Sequence, residues 1–381
     1  MNGVLAVTCV AIWAYLLTGR GLFWRAATRD TSPIQPAAQW PTVVAVIPAR
    51  NEADCITPSV QSLLQQDYAG QLHIIVIDDD SSDGTADLAR AAAANSGRTV
   101  TVQASGGPPA GWTGKLWALR QGIATAESLR PEYLLLTDAD IVHAPDTVSW
   151  LVAKSATGGF VLTSLMAKLR CVSLAERIHV PAFVYFFQML FPFSWVGRSD
   201  RKTSAAAGGC MLVKADALAR AGGIASIRNA LIDDCSLAAR LKALGPIWLG
   251  LTDRARSIRP YAAFTDVEKM ISRSAYAQLG YSPLRLAGAL AGMAITFMAP
   301  PLLAIFAAGW PRYAGLVAWL AMAFSFVPML RFYRLSPFWG LALPIIATLY
   351  SCYTLNSAYR HYRRRGGQWK GRVHVNAPSL P

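Results

Sequence analysis

Three short apolar stretches, at residues 42–47, 72–77 and 133–137, the first of them largely β-branched, each run directly into a polar segment that contains acids, and stretches with helical spacing lie between them. The helical stretches fall near 55–66, 85–94 and 115–127. Strands that alternate with helices in this way build an open α/β sheet, mostly parallel, because a parallel pair needs a crossover and the helix supplies it. Ligands in such sheets bind beyond the carboxyl ends of the strands. Pro48-Ala49-Arg50-Asn51-Glu52, Asp78-Asp79-Asp80-Ser81-Ser82-Asp83 and Asp138-Ala139-Asp140 all fall at such ends. The acids are therefore expected to converge on one crevice.

Carboxylates at i and i+2, as in Asp138 and Asp140, can hold a hard divalent ion such as Mg²⁺ or Mn²⁺, which takes oxygen ligands and keeps open positions for phosphates. A pair of turn aspartates is the plainer reading of Asp-x-Asp taken alone. The acids of 78–83 would repel one another unless a ligand, a cation or backbone amides satisfied them, and an acid there can accept from a uracil imide or a ribose hydroxyl. Asn51 and Glu52 stand at the equivalent place after the first strand and can read the same nucleoside, although Asn51 is also suited to cap the following helix. Gly114-Lys115 opens a helical stretch, so Lys115 and a helix N-terminus can both face a diphosphate. In 231–241, Asp233 and Asp234 begin an amphipathic helix; acids there favour the helix dipole, or one of them takes a proton from an attacking hydroxyl. The run Ala207-Gly208-Gly209-Cys210 offers a backbone that a sugar can approach closely, or a tight turn.

Charge and hydropathy divide the chain. It has 53% hydrophobic residues and only 15% charged ones, and 36 Lys+Arg against 22 Asp+Glu give +14. More than half of the acids lie in 45–150, whereas no acid follows Glu268 and twelve Lys or Arg do. Basic residues that flank apolar runs read as positive-inside signals or contacts with anionic lipid, and nucleic acid is set aside on that ground. Residues 4–17 are almost wholly apolar, with Arg20, Arg25 and Arg29 after them, which reads as an uncleaved anchor with its N-terminus outward and the globular part in the cytosol. Stretches at 286–308, 313–330 and 337–357 are each long enough to cross a bilayer. Three crossings would put the Arg-rich tail outside, so Pro300-Pro301 is expected to break the first stretch into a hairpin or interfacial element, and the parity stays open. Residues 178–196 suit an interfacial helix or a core helix equally. The six cysteines form no CxxC or zinc spacing and read as reduced thiols. The resulting organisation is a transmembrane anchor at 1–25, a catalytic domain at 40–282, membrane segments at 283–358 and a basic cytosolic tail at 359–381.

In this order the motifs resemble the family 2 glycosyltransferases with a GT-A fold, over about 42–275. The resemblance implies nucleoside contacts at Ala49, Glu52 and Asp79, donor and metal contact at Asp138 and Asp140, and Asp234 as the inverting base; Pro48, Asn51, Lys115, Gly209 and Asp233 join them as candidates on the chemistry given above. Of the family's Gln-x-x-Arg-Trp motif, 270–274 keeps only the arginine, which gives Arg273 a role on the diphosphate and argues against processive synthesis. The anchor, the apolar runs and the tail Gly367-Gln368-Trp369-Lys370-Gly371-Arg372 are similar to ceramide glucosyltransferases. Arg273-Ser274-Ala275-Tyr276-Ala277-Gln278-Leu279 with Tyr281-Ser282-Pro283 resembles the bacterial hopene-associated glycosyltransferase group. The resemblance implies a UDP-sugar donor, Mg²⁺ or Mn²⁺, a lipid acceptor related to hopanoids and a place in the bacterial inner membrane. Two alternatives remain from the sequence: a polyprenyl-phosphate sugar synthase, and an inactive membrane scaffold or lipid-binding protein of the same fold.

Overall fold

The computed structural model describes residues 2–33, 39–94, 96–363, 368–369 and 372–373. Most of the basic tail, and half of its Gly367–Arg372 motif, lies outside them. The chain forms two compact units: Thr28–Arg170 with Val196–Pro260 and Trp369–Pro381, and Met1–Ala27 with Cys171–Trp195 and Tyr261–Gln368.

The first unit is built on an eight-stranded sheet. Its strands are β1 (Val43–Ala49), β2 (Leu72–Asp78), β3 (Val100–Ala104), β4 (Tyr133–Thr137), β5 (Ile141–His143), β6 (Leu162–Lys168), β7 (Cys210–Lys214) and β8 (Ile247–Ser257), in the spatial order β3-β2-β1-β4-β7-β6-β8-β5. β3, β2, β1 and β4 are parallel, and β7 enters antiparallel between β4 and β6. The mostly parallel sheet read from the sequence is thus present. β1 is buried along its whole length, as a strand covered on both faces must be. The crossover helices Ala53–Leu64, Thr85–Ala93 and Gly114–Glu127 occupy the three expected places. Gly122 lets the last of these lie directly on the sheet: a Cβ there would stand 2.4 Å from Val46 Cγ1 and 3.0 Å from Ile77 Cγ1. Register aligns the strand ends, with Ala49 opposite Asp78 and Asp78 opposite Ala104, so the polar segments that follow β1, β2 and β3 emerge side by side.

The second unit is helical. Pro283–Phe306, Trp310–Phe332 and Pro337–Tyr362 are each long and apolar enough to cross a membrane, and the shorter apolar helix Asn2–Thr18 packs with them. Trp13, Phe186, Phe297 and Tyr350 stack edge to face between these helices. The expected break at Pro300-Pro301 does not occur. A π-helical turn at Ala294–Met298 absorbs the irregularity ahead of the prolines, and carbonyls that the missing proline N–H groups leave open accept from side chains, Ile295 O from Cys9 Sγ at 3.5 Å and Thr296 O from Trp13 Nε1 at 2.9 Å. Between the interfacial and the core reading of 178–196, the structure shows a core helix, Leu174–Leu190, with Val180, Ala182, Val184 and Tyr185 buried. Its start is fixed by a capping box of Ser173 and Glu176, and Glu176 also accepts from the Tyr261 amide at 2.8 Å.

Candidate active site

Lys115 lies at the centre of the strand-end cluster. Thr113 caps the helix Gly114–Glu127 by accepting from the Leu116 amide at 3.2 Å, which places Lys115 in the first turn. Its Nζ is 2.9 Å from Asp138 Oδ1 and 3.2 Å from Asp233 Oδ2. Burial by itself would lower the ammonium, but Asp138, then Asp233 and Asp234, hold it well above the usual lysine range. Asp138, a third open to solvent, is nevertheless raised, chiefly because the surrounding protein keeps water from most of its carboxyl and because Asp140 and Asp233 add like charge; Lys115 opposes the rise.

Asp233 and Asp234 occupy the first turn of Asp233–Lys242. Asp234 Oδ2 accepts from the Gly208 amide at 3.0 Å and Oδ1 from its neighbour, the Cys235 amide, at 2.7 Å. Its carboxyl is raised to about 6, by burial first and by Asp233 second, with Lys115 pulling the other way. A carboxylate held near 6 is ionised at neutral pH yet basic enough to take a proton. Of the two glycines in 207–210, it is Gly208 that faces the cluster: a Cβ there would lie 3.4 Å from Lys115 Nζ and 3.5 Å from Asp234 Oδ2. Gly209 packs instead against Ile141 and Ala167, so its bareness serves the protein interior. Thr137 donates to Gly209 O at 2.8 Å and stands 3.0 Å from His143 Nε2. Burial lowers the imidazole to about 4, so His143 is neutral, and its Nε2–H is assigned as donor to Thr137.

The other sequence candidates form a second cluster on the same strand ends. Arg259 joins Glu52 and Asp140: its Nη2 donates to Glu52 Oε1 at 2.7 Å and Oε2 at 2.5 Å, and its Nε to Asp140 Oδ2 at 3.1 Å. Ser257 adds a hydrogen bond to the same Asp140 oxygen at 2.9 Å. Asp79 is wholly buried, with Ser105 donating to it at 2.9 Å and Arg50 3.6 Å away. Asn51, with φ of 48°, accepts from the Ser82 amide and donates its own amide to Ser81; it ties the loops after β1 and β2 together instead of capping the helix. Pro48 and Ala49 belong to β1, and Ala49 O accepts from the Asp79 amide at 2.8 Å. Arg273 follows the helix Phe264–Ser272 in the other compact unit.

Sequence reasoning passed over Arg259, Arg50, Ser105 and Ser257. The available signal was charge balance, since buried strand-end carboxylates require cationic or hydrogen-bonding partners. Among the described residues no group of three His, Cys, Asp or Glu side chains is placed to hold a metal. Asp138 and Asp140, the pair the sequence offers for a metal, flank Ala139 at the end of β4, where Asp138 pairs with Lys115 and Asp140 with Arg259 and Ser257. Two hard oxygen donors, completed by phosphate oxygens of a substrate, fit Mg²⁺ or Mn²⁺, which characteristically keep several positions for phosphate and water.

Residues 44–221 match the family described as Glycosyl transferase family 2. A mannosyltransferase from Pyrobaculum calidifontis, solved in complex with GDP-mannose and Mn²⁺, aligns over 95% of this chain and 99% of its own with a TM-score of 0.55 and 19% identity. A glucosyl-3-phosphoglycerate synthase from Mycobacterium tuberculosis, solved with Mg²⁺ and uridine diphosphate, covers 66% of this chain and 85% of its own with a TM-score of 0.43 and 20% identity. No curated protein matches the chain. The sheet order and the first likeness show a GT-A fold, and together with the family 2 match over 44–221 they support a glycosyltransferase.

Proposed function

We propose that the protein is a membrane-bound, inverting glycosyltransferase that moves a sugar from a nucleotide donor, a UDP-sugar, to the hydroxyl of a lipid. The observation that carries this reading is Asp234: a carboxyl raised to about 6, oriented through both oxygens by backbone amides, beside a lysine that bridges Asp138 and Asp233.

In the proposed reaction the acceptor O–H gives its proton to Asp234 as its oxygen bonds to the anomeric carbon. The bond from that carbon to the diphosphate oxygen breaks, and the nucleoside diphosphate leaves with the electron pair. One displacement inverts the anomeric carbon. Asp138 and Asp140 would hold Mg²⁺ or Mn²⁺, which supplies positive charge for the diphosphate when bound. Lys115 adds its own charge at the N-terminus of Gly114–Glu127, where exposed amides favour phosphate. Glu52, Asp79 and Asn51 shape the nucleoside end, with Arg259 and Arg50 keeping the buried carboxylates neutralised. The three long apolar helices support membrane attachment; a bacterial inner membrane, a cytosolic catalytic unit and a hopanoid-related acceptor complete the proposal.

Calorimetric titration with UDP and with GDP, each with and without Mn²⁺, tests the donor half. Metal-dependent binding of UDP in preference to GDP is the expected result. Binding of neither nucleotide would favour an inactive scaffold.

A further inference from the structure

Whether the basic tail returns to the face from which the apolar helices start depends on whether Pro337–Tyr362 crosses the bilayer. Composition alone makes that helix a third crossing. Its contacts within the helical unit support a different path.

Pro283–Phe306 and Trp310–Phe332 form an antiparallel hairpin, because Gly315 lies on the backbone of Pro300 and Ala304. A third crossing would have to start at the Phe332 end and finish beside 306–313. Instead, the 3₁₀ turn Pro337–Ala342 folds back along Trp310–Phe332. A Cβ on Gly340 would lie 2.7 Å from Ala323 O, and Trp319 Nε1 donates to Leu341 O at 3.2 Å. Ala323 stands about 13 Å short of the end of its helix at 1.5 Å per residue. The final helical segment, Leu343–Tyr362, therefore starts near mid-depth.

Its other end is equally well fixed. Arg360 pairs with Glu268 at 3.1 Å, Asn356 donates to the same carboxylate, and Ser357 accepts from the Tyr276 amide at 3.1 Å. His361 stacks on Tyr281 with ring centroids 4.4 Å apart, and the Tyr276 and Tyr362 hydroxyls are 3.0 Å apart. All these partners lie just before Pro283. Tyr362 and Pro283 thus share one face of the unit.

We propose that the C-terminal third crosses the bilayer twice, and that Pro337–Ala342 is a re-entrant element from which Leu343–Tyr362 returns to its starting face. This rests on the membrane-bound reading above. Non-helical backbone at membrane depth is tolerated where protein satisfies it, and Trp319 and Ser336 provide partners here. Phe338, Leu341 and Ile345 are 82%, 43% and 68% exposed, and acyl chains are the partner such a surface fits. Charge agrees. Asn2–Thr18 runs parallel to Trp310–Phe332, since Gly3 meets Trp310 and Trp24 packs 5.2 Å from Phe324. Arg20, Arg25, Arg285, Arg331, Arg334 and Arg360 then all lie towards one face, whereas the end around 306–313 carries Arg312. The positive-inside rule makes the basic face cytosolic.

Single cysteines at Ala308 and Arg363, in a full-length chain whose native cysteines are replaced by serine or alanine, are labelled with a membrane-impermeant maleimide in right-side-out and inside-out vesicles. Arg363→Cys is expected to react only in inside-out vesicles, and Ala308→Cys only in right-side-out ones. Labelling of both from one side overturns the proposal. A fluorescent protein fused to the C-terminus of the native chain gives the same readout should the cysteine-free chain not fold: fluorescence at the membrane is expected, and a dark fusion present at equal level overturns it. Carbonate extraction separates the two premises, because protein released from the membrane would defeat the membrane-bound reading itself.

Discussion

Asp234 is the residue on which the chemistry turns. Its carboxyl is raised to about 6, so its charged, proton-accepting form is lost as the pH falls through that value. With saturating metal, kcat/KM should be level near neutral pH and fall about tenfold per unit below pH 6. Asp234→Asn keeps the size and one of the two accepting oxygens but not the basicity; it should cost at least about 100-fold in kcat and remove the acid limb. A pH–rate profile of both forms checks this, and a variant with near-native activity would remove the base assignment. Arg259 carries a different expectation. It neutralises Glu52 and Asp140 at once while only 26% exposed, so Arg259→Met leaves two strand-end carboxylates without that cation. Stability should fall by about 1–3 kcal/mol, less than for a wholly buried pair, which thermal unfolding would show. The places of Asp138 and Asp234 were legible in sequence because a carboxylate after an apolar strand or at a helix start announces its position. Arg259 was not, because what it neutralises lies more than a hundred residues earlier in the chain.

At the scale of elements, the helix Gly114–Glu127 transmits the fold to the site. Its Gly122 touches β1 and β2, and its first turn presents Lys115. Gly122→Ala forces a methyl to within 2.4 Å of Val46 Cγ1, and overpacking of this kind costs about 1–3 kcal/mol. The lowered Tm should come with weaker donor binding, since the displaced helix carries Lys115. Gly208→Ala provides the contrast. Its nearest neighbours, at 3.4 Å and 3.5 Å, are at ordinary contact distance, so Tm should hold while activity falls as the methyl enters the cluster. The alternation of strand and helix over 42–137 was readable from periodicity. The insertion of β7 between β4 and β6 was not, because antiparallel pairing across some 75 residues leaves no local pattern.

For the whole molecule, hydropathy located the apolar segments, but the proline break it suggested does not occur, and the parity of the crossings stayed open. Both depend on packing: a π turn accommodates Pro300 and Pro301, and Gly340 lets the chain fold back on Ala323. Metal dependence belongs to this scale because it joins donor, acids and product. Chelation with EDTA should abolish transfer, and Mn²⁺ or Mg²⁺ should restore it; unchanged activity in EDTA would remove the metal from the account. The most direct measurement is to incubate membranes containing the native protein or Asp234→Asn with a panel of UDP- and GDP-sugars, then analyse the extracted lipids by mass spectrometry and the product linkage by NMR. The account predicts a new lipid one hexose heavier from a UDP-sugar, with inverted anomeric configuration, absent with Asp234→Asn. No glycosylated lipid from any donor, or one with retained configuration, would contradict it.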